Sequence, residues 1–427
     1  MPAEEVHDLV CAESFKQKAL YWSSKFETAC YFNSNQFNDP YSAFEVLIAA
    51  GVKRFVKCSA GIAFDELGLF LERNVSYVPG FFAYDLKNET EDLHSHNTDN
   101  LHFPDLYFFE PLHLLLIKGD VVKILSDEAS TIFLDIENTQ LPEKSKTNFK
   151  GTICRRFTKA DYVYAVNELQ GHILRGEVYE VNFCQEFYSQ HSNLNPIDTY
   201  LELNRISPAP FSNFFKLGDQ YIISATPERF LCRRGNKLIS QPIKGTASRQ
   251  RDPQMDELMK AELRNNEKEL AENVMIVDLV RNDLTKSAVP GTVKVDELFG
   301  IYSFKQVHQM ISTVVCEADD RLTNAEILKN TFPMGSMTGA PKISAMKLIE
   351  RYEKTCRGVY SGSVGYFSPN GDFDFNVVIR SIVYNSKNGY LSFQVGSAIT
   401  GDSIPEQEYE ECLLKAKAIF QLLGNRA

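Results

Sequence analysis

The 427-residue sequence predicts an α+β protein of two packed antiparallel β-sheets flanked by helices, and three observations predict it. Near the C-terminus, residues 359–367, 373–384 and 390–399 are β-like runs separated by Asn370-Gly371 and Asn388-Gly389. Asn-Gly is the strongest short hairpin signal, because both residues accept the positive φ of a two-residue turn. The three runs are therefore expected to form a meander carrying Tyr360, Arg380 and Gly396 on successive strands. Upstream, residues 221–225, 230–234 and 237–243 also read as strands, the last two around a Gly235-Asn236 turn. The third observation is helical periodicity. Residues 158–175 have Thr158-Lys159-Ala160-Asp161 as a capped start, and 258–284 place Leu263, Leu270, Val274 and Val277 on one core face. Residues 343–352 form a shorter helix. A last helix opens at Ser403-Ile404-Pro405-Glu406, read as a capping box with an early Pro, and closes at Gly424.

The N-terminal region, 1–150, is rich in aromatics and short β-like runs and ends in a polar stretch, 137–150, that reads as a linker or long loop. It is expected to pack into the same body as a catalytic domain spanning 151–427. With 44% apolar and 12% aromatic residues, the chain has the material for a large core, which excludes disordered and fibrous classes. A formal charge of -11 repels a phosphate backbone, so nucleic acid is not an expected partner. An anionic substrate must be caught by a local cluster of Arg, Lys and backbone N–H groups. Nine cysteines, odd in number and without C-x-x-C spacing, indicate reduced thiols in a cytoplasmic protein. The acidic start lacks a signal peptide, and no apolar run approaches the roughly 20 residues that cross a bilayer.

Several residue sets could carry chemistry. Lys244, in Gln241-Pro242-Ile243-Lys244-Gly245-Thr246, ends a strand beside Gly and Pro; it is either a solvated charge or a desolvated catalytic amine. Glu269 with Glu272, and Glu408 with Glu411, are three apart on helices, so each pair projects from one patch. Either pair alone fits a solvated acidic face. Facing each other, the pairs would need a cation, and oxygen donors suit Mg²⁺. Thr338-Gly339-Ala340-Pro341-Lys342 precedes a helix and offers backbone N–H groups, with Lys342 adding charge, although no phosphate-loop signature is present. His308, in an apolar run, reads as a structural histidine or a site residue. Arg380, inside a β-branched run, needs a buried anion or a polar cavity.

Ser224-Ala225-Thr226-Pro227-Glu228-Arg229-Phe230, Pro242 to Thr246, Glu272 to Leu284, Gly335 to Lys342 and Asp402 to Lys415 together resemble the chorismate-utilising enzymes, and most closely their aminodeoxychorismate branch. The resemblance runs from about 155 to 421, and more faintly through Gly80 to Leu86 and Pro104 to Tyr107. It implies the chorismate-binding fold and Mg²⁺-dependent amination of chorismate at C4, leading to para-aminobenzoate and folate. In that reading Lys244 is a covalent nucleophile at C2, where anthranilate, isochorismate and salicylate synthases usually carry Ala. Attack requires a neutral amine, hence a lowered pKa. Glu228 matches the general acid for the departing C4 hydroxyl, and His308 a histidine near C4. Glu272 and Glu411 match metal ligands, with Glu269 and Glu408 beside them. Tyr360 and Arg380 match the grip on the enolpyruvyl carboxylate. Gly245, Thr246, Thr338, Gly339, Gly396, Ala398 and Lys415 match further substrate contacts. Two positions depart from the pattern. Ammonia-using members commonly have Gln where this chain has Glu180, and Ala398 replaces a glycine. No cysteine lies in a G-x-C-x-G elbow, so ammonia is expected from a separate glutamine amidotransferase subunit or free ammonium. No appended lyase domain is expected. Anthranilate synthase component I and isochorismate-type chemistry are the alternatives.

Overall fold

The computed structural model describes residues 3–73, 75–142, 149–305 and 307–424. Its architecture turns on two long strands, Val46–Cys58 and Leu106–Lys118. Both begin as buried runs rich in Val, Ile, Leu and Phe, which suits strands covered on both faces. They pair antiparallel along almost their full length, with a bulge between Val52 and Arg54 that bends the ladder. From Val46–Cys58 the hydrogen-bonded order continues through Thr28–Asn33, Ser212–Leu217, Gln220–Ser224, Ser381–Asn385 and Tyr390–Ile399 to Glu180–Ser189. From Leu106–Lys118 it continues through Val78–Phe82, Ser363–Phe367, Phe373–Asn376, Arg229–Arg234 and Lys237–Gln241 to Val307–Glu317. Val307–Glu317 in turn pairs with Ile243–Ser248 and Lys294–Ser303.

The α+β class is as predicted, and the two sheets are the halves of one 20-stranded network among the described residues. Leu47, Ala49, Phe215 and Ile222 from one half meet Phe81, Val364 and Tyr366 from the other in a shared apolar layer. Burial of Leu47, Phe215, Ile222, Phe81 and Val364 there contributes about 1.5–3 kcal/mol each. Helices cover the outer face of the first half. Phe15, Leu169, Tyr200, Tyr409 and Phe420 belong to a single core cluster, drawn from both sides of residue 150. Among the described residues no helix is long and apolar enough to cross a membrane.

Local expectations hold at some places and fail at others. Thr158 forms a capping box with Asp161 at the start of Lys159–Leu174. The predicted 258–284 helix is two, Pro253–Asn265 and Glu267–Thr285, because Asn266 leaves helical geometry and accepts from the Glu269 N–H. The break resets the helical phase. Leu263 and Val277 are buried as expected, but Val274 is 49% exposed. The last helix, Pro405–Leu422, has Pro in its first turn but no side-chain cap; the Ser403 hydroxyl instead accepts from the Thr400 N–H. Gly424 follows with φ +70°, the left-handed geometry of a helix end. Residues 143–148 of the expected linker lie outside the described residues.

The C-terminal meander is the largest departure. Ser363–Phe367 and Phe373–Asn376 form one hairpin, and Ser381–Asn385 and Tyr390–Ile399 another, but the two middle strands do not pair. Phe373–Asn376 joins Arg229–Arg234 in one half, whereas Ser381–Asn385 joins Gln220–Ser224 in the other. The run breaks between them, and Arg380 sits in the break with φ +52°. A non-glycine residue held there is costly and persists only where its surroundings enforce it.

Candidate active site

The two ends of the strand network face each other, and Lys244, Glu228, Glu269, Glu272, Glu411 and Arg380 collect between them. One end is the strand opening at Glu180; the other is Ile243–Ser248. In the latter, Ile243 is opposite Ile311 but Thr246 is opposite Gln309, so Lys244-Gly245 contains one extra residue. Such a bulge re-aims a side chain that a regular strand would point elsewhere. Gly245 takes φ +98°, and a Cβ there would lie 3.3 Å from a Glu269 oxygen. Asn273 fixes the bulge from the adjacent helix: its amide donates to the Lys244 carbonyl at 3.3 Å, and its oxygen accepts from Ser312 at 2.6 Å.

The Lys244 Nζ donates to Glu180 Oε1 at 2.8 Å, with both side chains largely buried. Burial alone would pull the lysine's pKa down, but the carboxylates of Glu180 and Glu272 outweigh it and raise the pKa above its ordinary value. This reverses the lowered pKa that the sequence reading required, and Glu180, the departure from the family pattern, is the main cause. Glu228, 4% exposed, is pushed up to about 7 by burial, against the opposing pull of the Ser336 hydroxyl and Lys244. A carboxyl poised there can donate a proton near neutral pH.

The glutamates of the helices Glu267–Thr285 and Pro405–Leu422 form one acidic wall. Burial raises Glu272 to about 7, and burial with Glu411 nearby raises Glu269. Glu411 is lowered by Lys415, whose Nζ lies 2.6 Å away and also donates to the Gly396 carbonyl at 2.9 Å. Glu408, 2% exposed, accepts from Ser397. The Lys268 ammonium bridges the helices, 3.4 Å from Glu408 and 3.7 Å from Glu272. Among the described residues no three carboxylate, imidazole or thiol groups converge as a metal cluster. The donor set nonetheless fits a hard cation: it is all oxygen, its members repel one another, and a lysine ammonium already takes the bridging position.

Arg380 lies within electrostatic reach of Tyr360, Glu411 and Glu228. Burial lowers its pKa, while Tyr360, Glu411 and Glu228 act in the opposite direction. Its guanidinium makes no hydrogen bond to a described residue. Tyr360, 3% exposed, lies 3.7 Å from the Cys184 sulfur. Gly339 and Gly396 are required sterically, since a Cβ on Gly339 would come 2.1 Å from the Glu180 carbonyl oxygen and one on Gly396 would come 2.4 Å from the Cys184 sulfur. Ala398 is buried opposite Asn182.

Other predicted residues are bonded within the fold or lie exposed. Thr338 is fully buried and donates to the Gly335 carbonyl at 3.1 Å. Thr246 is exposed beyond the bulge. His308 is buried with both ring nitrogens engaged, by Ser303 at 2.8 Å and by Asp256 at 2.9 Å. Lys342 does not face the site; it binds Asp283 at 2.6 Å and the Thr331 and Pro333 carbonyls.

Sequence reading missed Ser336, Lys268 and the buried pair Glu353 and Arg357. The Arg357 guanidinium binds Glu353, the Met337 carbonyl at 2.6 Å and the Asn182 carbonyl at 2.8 Å. It thereby ties the Gly335 turn to the strand that carries Glu180. The i, i+4 spacing of Glu353 and Arg357 was a usable signal, although most such pairs are exposed. Arg357→Ala leaves a buried carboxylate without its partner, so unfolding in denaturant should show a loss of about 3–5 kcal/mol.

The sequence model of the chorismate binding enzyme family matches residues 17–421. Aminodeoxychorismate synthase component 1 of Salmonella typhimurium is 34% identical over 349 residues, covering 81% of this chain and 76% of that protein. Anthranilate synthase component 1 of Thermus thermophilus is 33% identical over 361 residues with the same coverage. The chain spans only 35% of the probable chloroplastic aminodeoxychorismate synthase of Oryza sativa, to which it is 38% identical over 315 residues. In structure it is similar to anthranilate synthase component I from Streptococcus pneumoniae, with a TM-score of 0.76 at 25% identity, covering 89% of this chain and 93% of that one. By sequence and by fold, the chain belongs to the chorismate binding enzyme family.

Proposed function

We propose that the chain aminates chorismate at C4 to give 4-amino-4-deoxychorismate, the precursor of para-aminobenzoate in folate synthesis. The carrying observation is a buried lysine amine, Lys244, aimed by a bulge into a site that also holds a carboxyl near pKa 7, Glu228. Relatives named aminodeoxychorismate synthase component 1 from several bacteria support the reading. An anthranilate synthase is equally similar in overall identity, so the distinction rests on Lys244.

In this reading Arg380, with Tyr360 nearby, holds a carboxylate of chorismate, its guanidinium being engaged by no hydrogen bond to a described residue. Glu228 donates its proton to the departing C4 hydroxyl, which leaves as water. The Lys244 amine forms the bond to C2. Ammonia then adds at C4 and displaces the lysine, returning a proton to Glu228. Mg²⁺ would be held by Glu272 and Glu411 with Glu269 and Glu408, and when bound it supplies positive charge that orients the ring carboxylate and withdraws electrons. Ammonia would come from a separate glutamine amidotransferase subunit, in keeping with the component 1 names of the bacterial relatives. Nine unpaired cysteines support a cytoplasmic setting.

The test is mass-spectrometric identification of the product from chorismate, Mg²⁺ and ammonium. 4-Amino-4-deoxychorismate is expected. Anthranilate would contradict the assignment, as would isochorismate formed independently of ammonium. Glu272→Gln should raise the Mg²⁺ concentration needed for half-maximal rate; an unchanged Mg²⁺ titration would count against the ligand role.

A further inference from the structure

The Lys244 ammonium must shed a proton before it can attack, and the structure limits where that proton can go. Five carboxyl groups act on Lys244: Glu180 on the strand Glu180–Ser189, Glu272 and Glu269 on one helix, Glu411 on another, and Glu228. Among the described residues only Glu180 lies within ion-pair distance, at 2.8 Å. Glu228 cannot be the acceptor, because it must begin protonated to serve as the acid.

Glu180 is also held rigidly. Its backbone pairs with Ala340, while the side-chain-free Gly339 packs against its carbonyl. The residue is 3% exposed, so no bulk water competes for the contact.

We propose that Glu180 is the proton acceptor for Lys244, converting a buried ammonium–carboxylate pair into an amine–carboxylic acid pair as substrate fills the site. This rests on the chorismate amination reading. One N–H bond of the ammonium breaks and one O–H bond forms on Glu180; the freed nitrogen lone pair then makes the bond to C2. Glu228 supplies the proton that leaves with the C4 oxygen as water. When ammonia displaces the lysine, the new C4 ammonium reprotonates Glu228, and Glu180 returns its proton to the Lys244 amine. The driving force is desolvation: separated charges are destabilised relative to a neutral pair as water is excluded. Glutamine at this position accepts the same hydrogen bond but cannot take the proton.

The test follows formation of the covalent Lys244–chorismate adduct without ammonia, by rapid quench and intact-protein mass spectrometry, across mildly acidic to alkaline pH at saturating Mg²⁺. In the wild type the proton stays within the pair, so adduct formation carries no lysine-dependent rise with pH. In Glu180→Gln the proton must go to solvent, so the variant's rate relative to wild type should rise about tenfold per pH unit while the lysine remains protonated. Glu180→Asp keeps a carboxylate and should follow the wild-type pH profile at a reduced rate. A pH-independent ratio for Glu180→Gln, or a rising one for Glu180→Asp, overturns the proposal while leaving the amination reading intact. Absence of any adduct in the wild type contradicts both.

Discussion

Lys244→Ala should lower formation of 4-amino-4-deoxychorismate by at least about 10³-fold, the scale expected when a covalent nucleophile is deleted. The loss should appear in turnover rather than in folding. Chorismate binding, resting on Arg380 and the acidic wall, should persist and can be measured by titration calorimetry with Mg²⁺ present. Undiminished product from this variant would remove Lys244 from the mechanism, whatever the family resemblance.

Glu228→Gln should reduce kcat/KM by about 10²–10⁴-fold, the usual contribution of a positioned general acid. The pH profile gives a second readout. Burial raises Glu228 to about 7, and the competent form is the protonated one. Activity should therefore be fullest below that value and fall as pH rises through it. Glu272 titrates in the same range, so the profile belongs at saturating Mg²⁺, where a metal ligand is held deprotonated. In Glu228→Gln the residual rate should lose the alkaline fall; a variant with both the wild-type rate and the wild-type limb would exclude Glu228 as the acid.

The local signals in the sequence were legible because they are short-range. The Thr158 cap, the Gly235-Asn236 turn and the Asn-Gly hairpins each depend on a few neighbouring residues, and each forms in the structure. What was not legible is long-range. Strand pairing across the break at Arg380 cannot be read from periodicity, since residues 373–384 are continuously β-like while their two halves join different partners. Lys244 was visible as a candidate, but its bulge depends on register against Gln309 and Ile311. The Glu180 contact was invisible for the same reason: 64 residues separate it from Lys244. Lys342 shows the converse error, in which a turn suited to anion binding supplied a lysine that folding spends on Asp283.

Exposure of the protein to chorismate and Mg²⁺ without ammonia, followed by proteolysis and mass spectrometry of the peptide containing Lys244, tests the central claim most directly. The account predicts that Lys244 gains the mass of chorismate less one water and that added ammonium discharges the adduct as 4-amino-4-deoxychorismate. An unmodified Lys244 peptide from protein that still makes this product when ammonium is added would contradict it.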